Sequence, residues 1–132
     1  MDKKVKHIEM IQGVVNRMAN NSFLLKGWSV ILVSALFALA AKDSDIDFIP
    51  LAYFPALAFW FLDGYFLQQE RLFRKLYDRV RAMKEEDIDF SMDTSTVKKE
   101  VSCWACVCFS KTLFIFHGVI ILAICIVMYA AG

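Results

Sequence analysis

The chain has 132 residues, of which 58% are hydrophobic and 14% aromatic, and its mean hydropathy is +0.48. A chain of this length can form one domain, but its long uninterrupted apolar stretches exclude a water-soluble globular domain. Fifteen basic and 14 acidic side chains give a net charge of +1, a balance that does not predict binding to nucleic acid.

The chain opens with a predicted cytoplasmic amphipathic helix over residues 1–22. Ile8, Ile11, Val15 and Met18 recur at spacings of three and four residues, which places them on one face of a helix. This apolar face predicts packing against a second helix.

Three apolar stretches are long enough to cross a bilayer, whose core of about 30 Å needs roughly 20 residues of helix. We predict transmembrane helices at residues 23–41, 48–67 and 112–132, with the first two forming a hairpin over residues 23–67. A signal peptide is the alternative for the first stretch, but about 22 residues of patterned helix precede it, which a signal peptide does not have. The predicted fold class is all-α: a multi-pass membrane protein with three transmembrane helices.

The orientation of the spans follows from their basic flanks, because Lys and Arg mark the cytoplasmic side of a membrane. Four basic residues precede the first span and nine lie in residues 68–111, whereas the turn after the first span has one Lys and three Asp. We therefore predict a cytoplasmic N-terminus and a cytoplasmic helical segment over residues 68–111, with the acidic turn and the C-terminus outside.

The second span is predicted to continue into the cytosol as one long helix. Phe73, Leu76 and Val80 lie on an apolar seam, and no Gly or Pro interrupts residues 65–88. The helix would run for about 36 residues to Lys84, on the order of 54 Å. The seam can pack on the N-terminal helix or on copies in other subunits, and we interpret it as an oligomer seam.

The opposite side of this long helix is a basic face. It is either a solvated flank that contacts anionic headgroups or a docking surface for a cytoplasmic partner or an anionic ligand. An acidic stretch at residues 85–93 follows, and a further interfacial helix is predicted at about residues 97–111. The basic face consists of Arg71, Arg74, Lys75, Arg79 and Arg81.

Two charged residues interrupt the predicted hairpin. Counted from the turn, Lys26 and Asp63 each lie about 15 residues into their spans, so an antiparallel hairpin brings them to the same depth. A charge in the hydrocarbon costs about 2.5–3.5 kcal/mol on insertion scales, so such residues indicate a pair or a function. We predict an intramembrane ion pair; snorkelling, a polar ring lining a pore, and a proton relay are the alternatives.

Side chains suited to catalysis or metal binding are sparse. Cys103 and Cys106 have a zinc-like spacing, but no second ligand pair follows, so we expect reduced thiols packed near the membrane surface. The two histidines, His7 and His117, fall in different predicted compartments. We therefore expect no catalytic residues, no metal, no cofactor and no enzyme activity.

Three stretches resemble a group of small bacterial inner-membrane proteins: RMANNSFLLKGWSVILVSALFALAAKD (17–43), FWFLDGYFLQQERLFRKLYDRVR (59–81) and FSKTLF (109–114). This resemblance implies a location and no activity. The layout of cytoplasmic helix, membrane hairpin and long continuation is similar, more loosely, to oligomeric membrane proteins found beside bacterial anti-phage systems, including the octameric membrane accessory of type VI CRISPR. The third span departs from that layout. The resemblance implies a bacterial membrane protein that works as a ring.

Together these features favour an oligomeric bacterial inner-membrane protein that forms a ring or pore and perturbs the membrane as an effector of antiviral defence. The alternative is a non-conducting membrane scaffold that recruits a cytoplasmic protein partner. The expected partners are the lipid bilayer and other copies of the chain, and nucleic acid is not among them.

Overall fold

A computed structural model describes residues 2–43 and 48–131, and all regular structure in this part of the chain is helical. Three helical stretches have apolar windows with mean hydropathies of 2.0, 1.2 and 2.6 and are long enough to cross a membrane. The predicted all-α class with three candidate membrane-spanning helices is confirmed. The elements are α1 (Asp2–Asp43), α2 (Phe48–Leu51), α3 (Tyr53–Arg81), a first 3-10 helix (Glu85–Asp87), a second 3-10 helix (Ser95–Glu100), α4 (Trp104–Cys108) and α5 (Lys111–Ala131).

The first helix is continuous from the predicted cytoplasm into the apolar bundle. It has 42 residues, which corresponds to about 63 Å at 1.5 Å per residue. Both prolines of the chain lie after it, at positions 50 and 55, so nothing in its sequence breaks the hydrogen-bond ladder. The N-terminal amphipathic helix and the first span are therefore one rigid rod, without a joint at residue 22.

The predicted long helix that continues from the second span is confirmed as one helical stretch over Ile49–Arg81, with an irregular turn near its start and an end at Arg81 rather than Lys84. Between α2 and α3, Ala52 keeps a helical backbone (φ −66°, ψ −23°), and its N–H donates to the Ile49 carbonyl at 3.0 Å. Helix α3 then runs for 29 residues. Pro55 has no N–H to donate to the carbonyl four residues earlier, which explains the irregular turn at Ala52. The acidic turn includes residues 44–47, which lie outside the described residues.

Helices α1 and α3 pack antiparallel and bury two apolar clusters. One cluster, at the predicted cytoplasmic end, contains Ile11 and Val15 of α1 with Leu76 and Val80 of α3. The other lies towards the turn and consists of Val33, Ala40, Ile49, Ala52, Ala56 and Ile124, the last from α5. Between the two clusters the helices present polar side chains to one another.

The segment between α3 and α5 folds back onto the start of α1. The Glu85 carboxylate accepts the backbone N–H groups of Lys3 at 2.8 Å and of Lys4 at 3.2 Å. These N–H groups belong to the first turn of α1, which has no intrahelical partners for them. His7 Nε2 lies 2.8 Å from the Ser91 carbonyl oxygen, so the same segment also covers the next turn.

The prediction of a single interfacial helix over residues 97–111 is wrong. The second 3-10 helix ends at Glu100, and Val101 is extended (φ −122°, ψ 140°). Cys103 is extended as well (φ −63°, ψ 162°) and precedes the five-residue α4. The chain thus reaches α5 through short elements, and Trp104 and Phe109 remain 42% and 63% exposed.

Candidate functional site

Each of the three long helices contributes a polar side chain to one cluster inside the bundle. Helix α1 supplies Ser22 and Lys26, which share a face because they are four residues apart. Helix α3 supplies Asp63, and α5 supplies His117. We call these four residues the Asp63 cluster, and all of them lie within about two turns of the predicted cytoplasmic ends of their spans.

Asp63 is the centre of the hydrogen bonds in the cluster. Lys26 Nζ lies 2.6 Å from Asp63 Oδ2, and His117 Nε2 lies 2.8 Å from the same oxygen. The Ser22 hydroxyl donates to Asp63 Oδ1, and Lys26 Nζ donates to Ser22 Oγ at 2.8 Å. One carboxylate therefore connects α1, α3 and α5 directly.

The cluster is removed from solvent. Asp63 is 0% exposed and His117 1%, and the Lys26 side chain is 20% exposed. A buried carboxylate is stable only when it is paired and hydrogen-bonded. With an ammonium group and two further hydrogen-bonding side chains around it, Asp63 meets both conditions.

His117 has one ring nitrogen that the cluster does not use. Nε2 faces the Asp63 carboxylate, and the second nitrogen, Nδ1, is buried without a hydrogen-bond partner among the described residues. The Trp60 ring stacks on the imidazole, with centroids 5.8 Å apart and an angle of 9°. Phe116 packs edge-on against the same ring and lies 5.9 Å below Lys26 Nζ. Aromatic rings thus fix the imidazole and exclude water from it.

Helix α4 closes the bundle beside the cluster, and Gly64 allows this contact. A Cβ atom at position 64 would collide with Cys108 Sγ. Trp60 Nε1 donates to the Cys108 carbonyl at 2.7 Å, and Trp104 Nε1 donates to the Phe61 carbonyl at 3.1 Å. The residue that follows Asp63 therefore has to be glycine for α4 to pack this closely on α3.

A cavity of about 300 Å³ lies beside the cluster and opens to the surface of the bundle. It borders Lys26, the one partly exposed member of the cluster, and Glu70, one turn or more further along α3. The Lys26 side chain, 20% exposed, is therefore accessible from this side of the bundle. The lining residues are Ala19, Ser22, Phe23, Lys26, Leu67, Glu70, Thr112 and Leu113.

The structure brings Lys26 and Asp63 together and adds two partners that the sequence reasoning did not assign. His117 was identified only as a lone histidine in the third span. His117 lies about as far from the predicted cytoplasmic boundary as Asp63 does. A comparison of depth in the membrane across all three spans indicates that these two residues can meet. Ser22 precedes Lys26 by one turn of helix, which is the signal for its position.

The seam residues lie inside a single chain. Leu76 and Val80 are 4% and 1% exposed and contact Ile11 and Val15, and Phe73 is partly buried beside them. Of the two packing alternatives for the seam, the structure shows the one with the N-terminal helix.

The basic face remains at the surface. Arg74 pairs with Glu70 at 3.1 Å and Arg81 with Asp78 at 3.9 Å. Lys75 and Arg79 are exposed, and Arg71 is partly buried. A second cavity of about 260 Å³ lies where Arg71, Arg74 and Lys75 meet the end of the second 3-10 helix.

The cysteines differ in their surroundings. Cys103, Cys106 and Cys125 are exposed and Cys108 is buried, so the expectation of packed thiols fits Cys108 and is wrong for Cys103 and Cys106. Within residues 2–43 and 48–131, no three His, Cys, Asp or Glu side chains are grouped so as to hold a metal ion.

Comparisons with protein-family models, curated proteins and solved structures found no match to this chain. The class that the fold and the site define is a multi-pass helical membrane protein, by the length and composition of its three apolar helices.

Proposed function

We propose that the protein is an oligomeric inner-membrane protein of bacteria that forms a ring or pore, and that the Asp63 cluster holds the three spans of each protomer in a closed arrangement. The observation that carries the proposal is the fully buried Asp63, which contacts side chains of both other spans. Breaking these contacts releases α1 and α5 from α3 at the same point.

A charge inside a bilayer is stable in two situations. It is either paired with another charge or exposed to a water-filled lumen. A scaffold that only anchors a partner needs neither Lys26 nor Asp63, because apolar residues at both positions would pack without a desolvation cost. In a protein that alternates between a closed bundle and a hydrated pore, the two charges pair with each other in the closed state and face water in the open state.

The lipid-facing surface supports insertion of the whole bundle. Large apolar side chains are exposed all along the three helices, including Phe23 (73%), Ile31 (65%), Phe54 (79%) and Tyr129 (90%). Such exposure is unfavourable in water and ordinary in lipid. The same outer faces are available for contact between protomers, whereas Leu76 and Val80 are already covered by α1.

A role as an effector of antiviral defence is the most specific part of the proposal. One support is the resemblance of its layout, a cytoplasmic helix, a membrane hairpin and a long continuation, to that of ring-forming proteins found beside anti-phage systems. The other is the Asp63 cluster, which can keep the spans closed until a trigger arrives. In this scheme the resting protein is harmless, and loss of the Asp63 contacts permits ion flow.

Ion flux into liposomes tests the proposal. Asp63→Asn removes the charge at the centre of the cluster, and Asp78→Asn removes an exposed charge of the same helix as a matched control. We expect Asp63→Asn to increase flux over the wild-type protein and Asp78→Asn to leave it unchanged. Absence of flux for every variant, with the oligomer intact, would contradict the pore.

The second candidate function is a non-conducting scaffold that recruits a cytoplasmic partner. The observation that favours it is the exposed basic face with the cavity at Arg71, Arg74 and Lys75. Reversing charge at Arg74 and Lys75 would then abolish recruitment to membranes of an acidic partner, with no change in flux.

A further inference from the structure

The Cys103 and Cys106 thiols form a pair outside the spans, in a position that the proposed function does not use. Their Sγ atoms lie 2.8 Å apart, and both residues are exposed. We infer that Cys103 and Cys106 form a reversible dithiol–disulfide site that reacts with disulfides of small thiols or of proteins on the predicted cytoplasmic side.

The backbone places the two sulfurs together. Cys103 is extended and directly precedes α4, while Cys106 lies in the first turn of that helix, so both side chains are on the same side. The Cys106 backbone N–H donates to Cys103 Sγ at 3.4 Å. A disulfide bond is about 2.05 Å long, so the sulfurs need to approach by about 0.8 Å, which side-chain rotation can supply.

The two thiols are not equivalent, and the difference assigns their roles. The hydrogen bond between the two thiols, followed by the one from the Cys106 backbone N–H, lowers the pKa of the Cys103 thiol below its ordinary value. The same contact, with the charge on Cys103, raises the pKa of Cys106. A thiolate is the attacking form of cysteine. The Cys106 backbone N–H that donates to Cys103 Sγ stabilises a thiolate on Cys103, so Cys103 attacks first and Cys106 resolves.

The reaction is thiol–disulfide exchange. The Cys103 thiolate attacks one sulfur of an external disulfide R–S–S–R, breaks its S–S bond and releases one thiolate. Cys106, after losing its proton to solvent, attacks Cys103 Sγ and releases the second. The protein loses two electrons and two protons, and the external disulfide becomes two thiols, so an external dithiol reverses the reaction.

Of the two remaining cysteines, Cys125 is exposed and Cys108 is buried. Cys108 is 2% exposed against Gly64, and burial raises the pKa of its thiol. It is therefore shielded from the exchange that reaches its exposed neighbours. A zinc ion is excluded as the occupant of the pair by chemistry, because a structural site needs four ligands and the described residues supply no third nearby.

The pair lies on a segment that contacts the Asp63 cluster. Trp104, between the two cysteines, donates to the Phe61 carbonyl of α3. The Cys108 carbonyl accepts from Trp60, whose ring stacks on His117. A bond between the two sulfurs therefore forms beside residues that contact α3 and, through Trp60, the buried imidazole.

Thiol counting on the purified full-length protein tests the site. The reduced protein is incubated with glutathione disulfide, and free thiols are counted by maleimide labelling and intact mass. The chain has four cysteines, and we expect the wild-type count to fall from four to two, with a loss of two hydrogens and no glutathione mass. A reducing dithiol should restore all four.

Three variants identify the participants. Cys106→Ser should accumulate one glutathione on Cys103, Cys103→Ser should react slowly, and the control Cys125→Ser should still lose two thiols. Two glutathione adducts on the wild-type chain, or an unchanged count, would overturn the proposal. The wild-type measurement decides the question even if a serine variant fails to fold, which the elution volume of the particle reports.

Discussion

Replacing Lys26 and Asp63 by alanine, singly and together, measures the free energy that couples α1 to α3 inside the bundle. Removing one member of a buried ion pair costs about 3–5 kcal/mol, because the other charge is left without compensation. If the pair acts as a unit, the double variant should be less destabilised than the sum of the two single variants, since it strands no charge.

The structure indicates which of the two single substitutions should lower the free energy of unfolding more. After Lys26→Ala the carboxylate keeps the hydrogen bonds from Ser22 and His117, so the loss should lie near the lower limit, about 3 kcal/mol. After Asp63→Ala three donors lose their shared acceptor, and only Lys26, at 20% exposure, can turn towards water, so the loss should approach about 5 kcal/mol. The coupling energy should be about 1–3 kcal/mol.

Unfolding by SDS in mixed micelles gives the free energy of unfolding for the four variants. The exposed pair Glu70 and Arg74, 3.1 Å apart on one helix face, is the matched control and should couple by only about 0.3–0.5 kcal/mol. Small additive losses at Lys26 and Asp63, similar to the control, would refute the reasoning and identify both residues as ordinary interfacial charges.

Three further outcomes follow from the fold. Gly64→Ala should lower stability by about 1–3 kcal/mol because its Cβ meets Cys108 Sγ, and Cys108→Ala should recover most of the loss in thermal melting. Leu76→Asp places an unpaired carboxylate at a site that is 4% exposed and should accelerate proteolysis of residues 82–103, whereas unchanged digestion would contradict the α1–α3 core. A reporter fused after Gly132 should be active outside the cytoplasm, and one inserted near Met92 should be active inside it. Cytoplasmic activity of the Gly132 fusion would show that α5 does not cross the membrane.

The sequence was sufficient for the spans and for the depth of the two charges. The thickness of the bilayer sets the length of each apolar span. In an antiparallel hairpin, residues that are equally far from the turn lie at the same depth. Those two constraints led to Lys26 and Asp63 as neighbours. The rotation of α5 about its own axis has no comparable signal in an all-apolar helix, since its faces do not differ in polarity. For this reason His117 could not be placed against Asp63 from periodicity.

Local backbone chemistry explains the differences in secondary structure. Pro50 and Pro55 flank the irregular turn at Ala52, because a proline cannot donate the backbone hydrogen bond that a regular helix has at its position. The helical structure is also interrupted between Glu100 and Trp104, where the sequence contains no proline or glycine that would predict a break. This interruption arises from tertiary contacts, because Trp104 and Cys108 can reach α3 only if α4 starts anew after Cys103.

The partner of the apolar seam illustrates a different limit. A periodic apolar face shows that a helix packs against something, and it does not distinguish another part of the same chain from a second copy. Because Leu76 and Val80 contact α1, we propose the outer faces of the spans as the surfaces between protomers.

The central claim is a ring of protomers in which each Asp63 is held inside its own bundle. Determining the symmetry and the structure of the detergent-extracted particle by electron cryomicroscopy tests it most directly. The account predicts a closed ring in which every Asp63 contacts Lys26 and His117 of the same chain around a narrow central axis. A monomeric or compact dimeric particle, or a ring whose Asp63 side chains converge on the axis in the resting state, would contradict it.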